Sequence, residues 1–262
     1  ASAAYKSVID NYPGSDEAKV ALQDLKSVYL DLNDISSYAA YVNSLGGNVR
    51  FDVSEQDSLT YLAAEKLFMK GDNSGAKKSL TNYLQSFPDG AFSTNANYYL
   101  GSVAFNNKEY DEAKQLFKVV LASGDTKFAE SASARKAEIE YMQEDYVAAL
   151  ESFKHLKAVA ESKDNKDAAK LGIMRCAQYT GKQQDALSGA EELLKDPKLS
   201  PELSAEARYI RAKANIALKQ PAKAMTDLQT ISKDTRTVHG AEAKYLLSQL
   251  YFNNKENAKA EK

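Results

Sequence analysis

Apolar and small residues recur along this chain in paired helical blocks. The clearest window runs Asn97-Tyr98-Tyr99-Leu100-Gly101 and Phe105, then Tyr110, Ala113, Phe117, Val120 and Leu121. Spacings of three and four place one apolar stripe on each of two helices. The polar Asn107-Lys108-Glu109 between them marks a turn. The pattern predicts two antiparallel helices, the second starting near Asp111 and turning Ala113, Phe117 and Val120 inward.

The block repeats. Ala113 is followed by Ala149, Ala186, Ala224 and Ala260, at spacings of 36, 37, 38 and 36, and Ala76 lies 37 residues earlier. Ala1 stands two periods before Ala76. Four residues after these alanines come Tyr5, Leu80, Phe117, Phe153, Ala190 and Leu228; seven after come Val8, Tyr83, Val120, Leu156, Leu193 and Ile231. Pro13 and Pro88 stop the helices that carry Tyr5 and Leu80. Near Tyr38 the pattern almost disappears. A fixed period of this length means stacked helical hairpins, none of which can bury its apolar face alone.

Leu100-Gly101 with Phe105 in the first helix, then Ala113 and Phe117 in the second, resembles the tetratricopeptide repeat (TPR). The period of 36–38 exceeds that family's usual length, so turns or helices should be slightly longer. The resemblance implies an all-α, right-handed α-solenoid of stacked TPR hairpins. Three segments are expected: partial and degenerate repeats over 1–45, an irregular connection or hinge over 46–57, and a regular array over 58–262. The hinge is expected at Gly46-Gly47-Asn48-Val49-Arg50-Phe51-Asp52-Val53-Ser54, where turn residues precede alternating apolar ones. The phase also suggests a piece of a longer array, opening inside a second helix and stopping just into the last one. End-to-end self-association is a corollary.

Composition narrows the function. Apolar residues make up 44% and charged residues 27% of the 262 positions, as in a foldable globular chain. Thirty-four Lys and Arg against 36 Asp and Glu lack the basic excess of a general nucleic-acid binder. No apolar run reaches the ~20 residues of a membrane span, so membrane insertion is not expected. Cys176 alone cannot form an internal disulfide, and His155 and His239 are too few for a His-rich metal site. The carboxylate clusters Glu138, Glu140, Glu144, Asp145 and Glu109, Asp111, Glu112 read as solvated faces and helix starts rather than acid/base pairs. Ser74–Lys77 and Ser133–Lys136 have the Ser-x-x-Lys spacing without its companion motifs. No enzyme activity, cofactor or metal is expected.

The TPR resemblance also implies where a partner binds. Family contact positions are the second, fifth, ninth, twelfth and thirteenth of each repeat, on first helices that line an inner groove. The fifth positions here are Tyr61, Tyr98, Ala134, Leu171, Tyr209 and Tyr245; the twelfth are Phe68, Phe105, Tyr141, Gln178, Ile216 and Phe252. Each pair is seven apart, so both lie on one helical face. The ninth are Glu65, Ser102, Glu138, Arg175, Lys213 and Gln249, changing from acidic to basic along the array. With Asn95 and Asn106, the candidate partner-binding set is Tyr61, Glu65, Phe68, Asn95, Tyr98, Ser102, Phe105, Asn106, Glu138, Tyr141, Arg175, Tyr209, Lys213 and Tyr245. The alternative for the rings is packing between neighbouring first helices. Where chaperone-tail clamps of the family carry Lys and Asn, this chain has Tyr61, Glu65, Tyr98, Tyr99 and Ser102, so that role is disfavoured.

The run Tyr83-Leu84-Gln85-Ser86-Phe87-Pro88-Asp89-Gly90-Ala91-Phe92, followed by Asn95-Ala96-Asn97-Tyr98-Tyr99-Leu100-Gly101, is similar to bacterial cell-envelope TPR proteins of the Tol-Pal coordinator and outer-membrane assembly lipoprotein type. Asn11-Tyr12-Pro13-Gly14-Ser15 repeats the linker. That likeness implies a periplasmic or outer-membrane-associated scaffold for a protein or peptide partner, with a cytoplasmic location still open. A single-stranded RNA reader built from similar hairpins is the alternative, disfavoured by a net charge of −2 and a groove of aromatic residues.

Overall fold

The computed structural model describes residues 1–46, 51–124 and 126–260, and every regular element among them is a helix. The chain forms two compact units, 1–128 and 129–262. The first holds α1 (Ser2–Asn11), α2 (Asp16–Asp31), α3 (Ile35–Ser44), α4 (Val53–Met69), α5 (Asn73–Ser86), α6 (Ser93–Asn106) and α7 (Tyr110–Ala122). The second holds α8 (Ala129–Met142), α9 (Tyr146–Val159), α10 (Lys163–Tyr179), α11 (Gln183–Leu193), α12 (Pro201–Ala217), α13 (Pro221–Ile231), α14 (Val238–Asn253) and α15 (Asn257–Ala260).

Even-numbered helices are the first helices of hairpins. Each packs on the odd-numbered helix that follows it, and within a unit it also touches the next first helix: α2 on α4, α4 on α6, α8 on α10, α10 on α12 and α12 on α14. The recurrent alanines make this close packing possible. Ala76, Ala113, Ala149, Ala186 and Ala224 are all fully buried. Tyr38 occupies the corresponding place in α3, where it packs against Tyr29 and Phe51. That one bulky substitution is why the repeat there is hard to read.

Every first helix ends in the same way. Asn33, Gly71, Lys108, Glu144, Gly181, Lys219 and Lys255 have φ between 54° and 78°. The next amide in each case reaches back five residues, as in Glu109 N–H to the Ala104 carbonyl at 2.8 Å and Lys182 N–H to Ala177 at 2.8 Å. This left-handed turn closes the helix by satisfying an orphan carbonyl. Asp34, Asp72 and Asp145 then cap the following second helices through Ser37, Gly75 and Ala148 amides.

Of the connection expected to be irregular over 46–57, residues 47–50 lie outside the described residues, and so does that part of the expected hinge. Phe51 is buried against Tyr38, and α4 already begins at Val53. Asp52 and Ser54 supply the polar start that the alternating pattern disguised, with the Ser54 hydroxyl donating to Asp52.

The Phe87–Phe92 linker shows how hairpins are locked together. Buried Asp57 in α4 accepts from the Tyr83 hydroxyl of α5 and from the Ala91 amide at 2.8 Å. The Phe92 amide donates to the same Tyr83 oxygen at 3.2 Å. A Cβ on Gly90 would stand 2.5 Å from that oxygen and 2.8 Å from Phe87 Cβ, so the linker can approach only without a side chain there. Gly90→Ala is therefore expected to cost about 1–3 kcal/mol by forcing this network apart. Urea denaturation measures it, and a loss indistinguishable from zero would mean that the linker gives way freely.

Candidate functional site

The first-helix face carries the residues singled out by the sequence, but it uses them in two different ways. The fifth-position tyrosines pack between hairpins. Tyr61 is buried, stacked on Phe92 with centroids 4.5 Å apart and planes 3° from parallel, and meets Tyr83 edge-on. Its hydroxyl donates to Glu65 at 2.6 Å and accepts from Asn95 at 3.3 Å. Burial and the carboxylate together hold the phenol well above its ordinary pKa. Tyr98 repeats the arrangement on Phe128 at 4.2 Å, and Tyr209 repeats it on His239 at 5.1 Å.

Tyr61, Tyr98 and Tyr209 thus have the arrangement given above as the alternative to the groove reading, packing between neighbouring first helices. Each ring lies against the residue that opens the next first helix, so its face is taken within the fold. Glu65 and Asn95 are drawn into the same contact through the Tyr61 hydroxyl. Phe68 packs on Tyr99 at 4.7 Å, Phe105 meets Tyr110, and Tyr141 meets Tyr146 and Phe153. These three rings are half-buried rather than open.

Arg175 is tied within the fold as well. Both arms of its guanidinium grip Glu206 of the next first helix, at 2.6 and 2.7 Å. Its charge is paired within the fold, unlike the open ninth-position residues Glu138 and Lys213. A fork of this kind ties two helices together.

What stays open is a smaller set. Asn106 and Glu138 are exposed, and Ser102 and Lys213 are half-exposed. Tyr245 is 65% exposed. Of the thirteenth positions only Asn106 stood in the candidate set, yet three others carry exposed apolar side chains: Met69, Met142 and Tyr179 at 63%, 45% and 61%. Their signal was available, because an apolar residue in the last turn of each first helix has no partner within its own hairpin. Tyr179 has one face on Tyr146, centroids 4.2 Å apart.

The other candidate groups are built into the scaffold. Cys176 is buried, and desolvation pushes its thiol up to about 11. Glu140 is buried between Lys136 at 2.6 Å and the Ser152 hydroxyl at 2.6 Å. The exposed His155 ring meets Ser133 at 2.8 Å. His239 lies in the first turn of α14.

Glu130 opens α8 and reaches to the start of α10. It accepts from the Ser162 hydroxyl at 2.6 Å, the Asn165 side chain at 2.8 Å, and the Glu161 and Ser162 amides. These donors favour the charged form and lower its pKa from 4.5 to about 2. A depressed folded-state pKa gives stability that is whole above the unfolded value and is lost as pH falls toward the folded one. Acid unfolding of the second unit should therefore steepen between about pH 4.5 and pH 2. Glu130→Gln should flatten that limb while lowering stability at neutral pH. An unchanged acid limb would remove Glu130 from the linkage.

No helix among the described residues is long and apolar enough to cross a membrane. No curated protein matches the chain. Among solved structures, MamA is 14% identical over 75% of this chain and 96% of its own, with a TM-score of 0.45. A tetratricopeptide repeat protein from Parabacteroides merdae is 14% identical over 98% of this chain and 90% of its own, at 0.43. PilW, a widely conserved type IV pilus biogenesis factor, is 16% identical over 87% and 99%, at 0.42. The family model of the tetratricopeptide repeat matches residues 61–128, from the buried Tyr61 to the Phe128 ring under Tyr98.

Proposed function

We propose that this chain is a non-enzymatic protein–protein interaction scaffold that takes a peptide or protein segment on its first-helix faces. The observation that carries the reading is the exposed row at the ends of successive first helices. Met69 and Asn106 form it in the first unit, and Met142 and Tyr179 form it in the second; Tyr245 is exposed midway along α14, outside the row. Methionine offers adaptable apolar contact and tyrosine a large ring that is cheap to order, which suits a segment that arrives without structure of its own. Ser102, Glu138 and Lys213 stand on the same helices and supply polar contacts. The buried stacks under Tyr61, Tyr98 and Tyr209 hold the helices that present this row.

The finer reading is a bacterial cell-envelope role. Its support is the linker Phe87-Pro88-Asp89-Gly90 with Tyr98-Tyr99-Leu100-Gly101, and its shorter echo at Tyr12-Pro13-Gly14-Ser15.

Site-specific photocrosslinking tests the binding face. A crosslinking side chain at 106, 142 or 179 is expected to trap a partner in the producing cell, while one at Lys118 or Val147 on second helices is not. Crosslinks obtained only from the second-helix positions would move the site to the opposite face.

A further inference from the structure

The chain carries its sulfur in one cysteine and four methionines. Cys176 and Met174 are fully buried in α10, and burial pushes the thiol up to about 11, which keeps it from the reactive thiolate form at neutral pH. Met225 is half-buried on α13, a second helix. The remaining two are open, Met69 at 63% exposed and Met142 at 45%. Both stand at the thirteenth position of a first helix, one in each unit. Met69 closes α4, which packs on α6 with Asn106 at its end; Met142 closes α8, which packs on α10 with Tyr179 at its end. The sulfur most open to an oxidant therefore lies on the row of first-helix ends, and the rest is wholly or partly covered.

We propose that Met69 and Met142 are a modification site, whose oxidation by a peroxide to methionine sulfoxide releases the partner from this row. The inference rests on the interaction reading above. In the step, the sulfur lone pair attacks one peroxide oxygen, the O–O bond breaks and an S–O bond forms. The other oxygen leaves as water after a proton shift, so the sulfur has given up two electrons. The product is polar and chiral where a flexible apolar side chain stood. A segment that had buried the thioether would have to bury an S=O oxygen without a donor, or give up the contact. Both side chains end their helices in water, so the fold bears little of the change. Sulfoxide reductases, drawing two electrons from a dithiol, remove the oxygen as water and reset the site.

Hydrogen peroxide is the probe. Peptide mass mapping of the purified chain should show Met69 and Met142 gaining one oxygen about fivefold or more faster than Met174, with Met225 between them. Chain carrying a photocrosslinking side chain at 106 or 179 is then oxidised, freed of peroxide and irradiated in an extract of the producing cell. Its crosslinked yield should fall about threefold or more against untreated chain, and recover after treatment with both sulfoxide reductases and a dithiol. The thermal midpoint should stay level. Met69→Leu with Met142→Leu removes both sulfurs, so its yield, taken against its own untreated value, should not respond to peroxide. No crosslink before treatment overturns this inference together with the interaction reading. A crosslink that persists once both sulfoxides have formed, a response that survives the double substitution, or no preference for the two open methionines overturns this inference alone.

Discussion

Tyr61→Ala is expected to destabilise the first unit by about 3–5 kcal/mol, the range for deleting a large buried aromatic side chain. The ring is 2% exposed, stacked on Phe92 and edge-on to Tyr83, so its removal leaves a cavity beneath the linker. The Asp57 network that holds Ala91 and Phe92 in place adjoins that cavity. Tyr61→Phe separates packing from polarity: it keeps the stack and loses only the Glu65 and Asn95 bonds, at a cost of about 1 kcal/mol. Chemical denaturation of both variants gives the comparison. If Tyr61→Ala costs under about 0.5 kcal/mol, as substitutions at open surface sites do, the ring stands in solvent and the packed reading fails.

The second large effect is expected at Asp227→Ala. This carboxylate is 2% exposed and receives both arms of Arg211, at 2.7 Å each, and one from Arg208 at 3.1 Å. Its removal leaves two guanidinium groups facing a buried space without an anion. Breaking a buried pair in this way costs about 3–5 kcal/mol. Both arginines reach solvent, which reduces the expected loss to about 2–4 kcal/mol. Asp227→Asn preserves shape and one acceptor and should lose less. Glu138→Ala, exposed and paired with Arg135 across a single helical turn, is the control and should stay within about 0.5 kcal/mol. Equal losses at Asp227 and Glu138 would show that the buried position confers nothing.

The hairpins were legible because their signal is local. An alanine that must be small and an apolar residue four positions on can be read within one helix. The ring partners of the tyrosines were not, although packing between first helices was weighed, because Tyr61 and Phe92 lie 31 residues apart, and Tyr98 and Phe128 30 apart. A tyrosine that grips a ligand and one that grips the next repeat are the same letter at the same register. Arg175 misled for the same reason: its partner Glu206 is 31 residues away, so its charge looked free. Glu130 was passed over since its donors sit at the start of the following hairpin. The open row at Met69, Met142 and Tyr179 could have been found by asking which apolar residues had no partner within a hairpin.

The left-handed turn explains where the chain can change length. Measured from the fifth position, the turn residue always comes ten residues later and the second-helix alanine fifteen later: Tyr98, Lys108, Ala113; Leu171, Gly181, Ala186; Tyr209, Lys219, Ala224. The whole spread of the period, from 36 to 38, falls between that alanine and the next first helix. One half of each repeat therefore has a fixed length and the other half tolerates slack. An extra residue between Lys108 and Ala113 would rotate the whole second helix by about 100° and turn Ala113 away from its neighbour. The same residue added after α11, where the Lys195–Ser200 segment already makes the longest period, would be taken up by the loop. Gene duplication and drift in such an array leave their length differences at the joints between hairpins, while the bend inside each one keeps count.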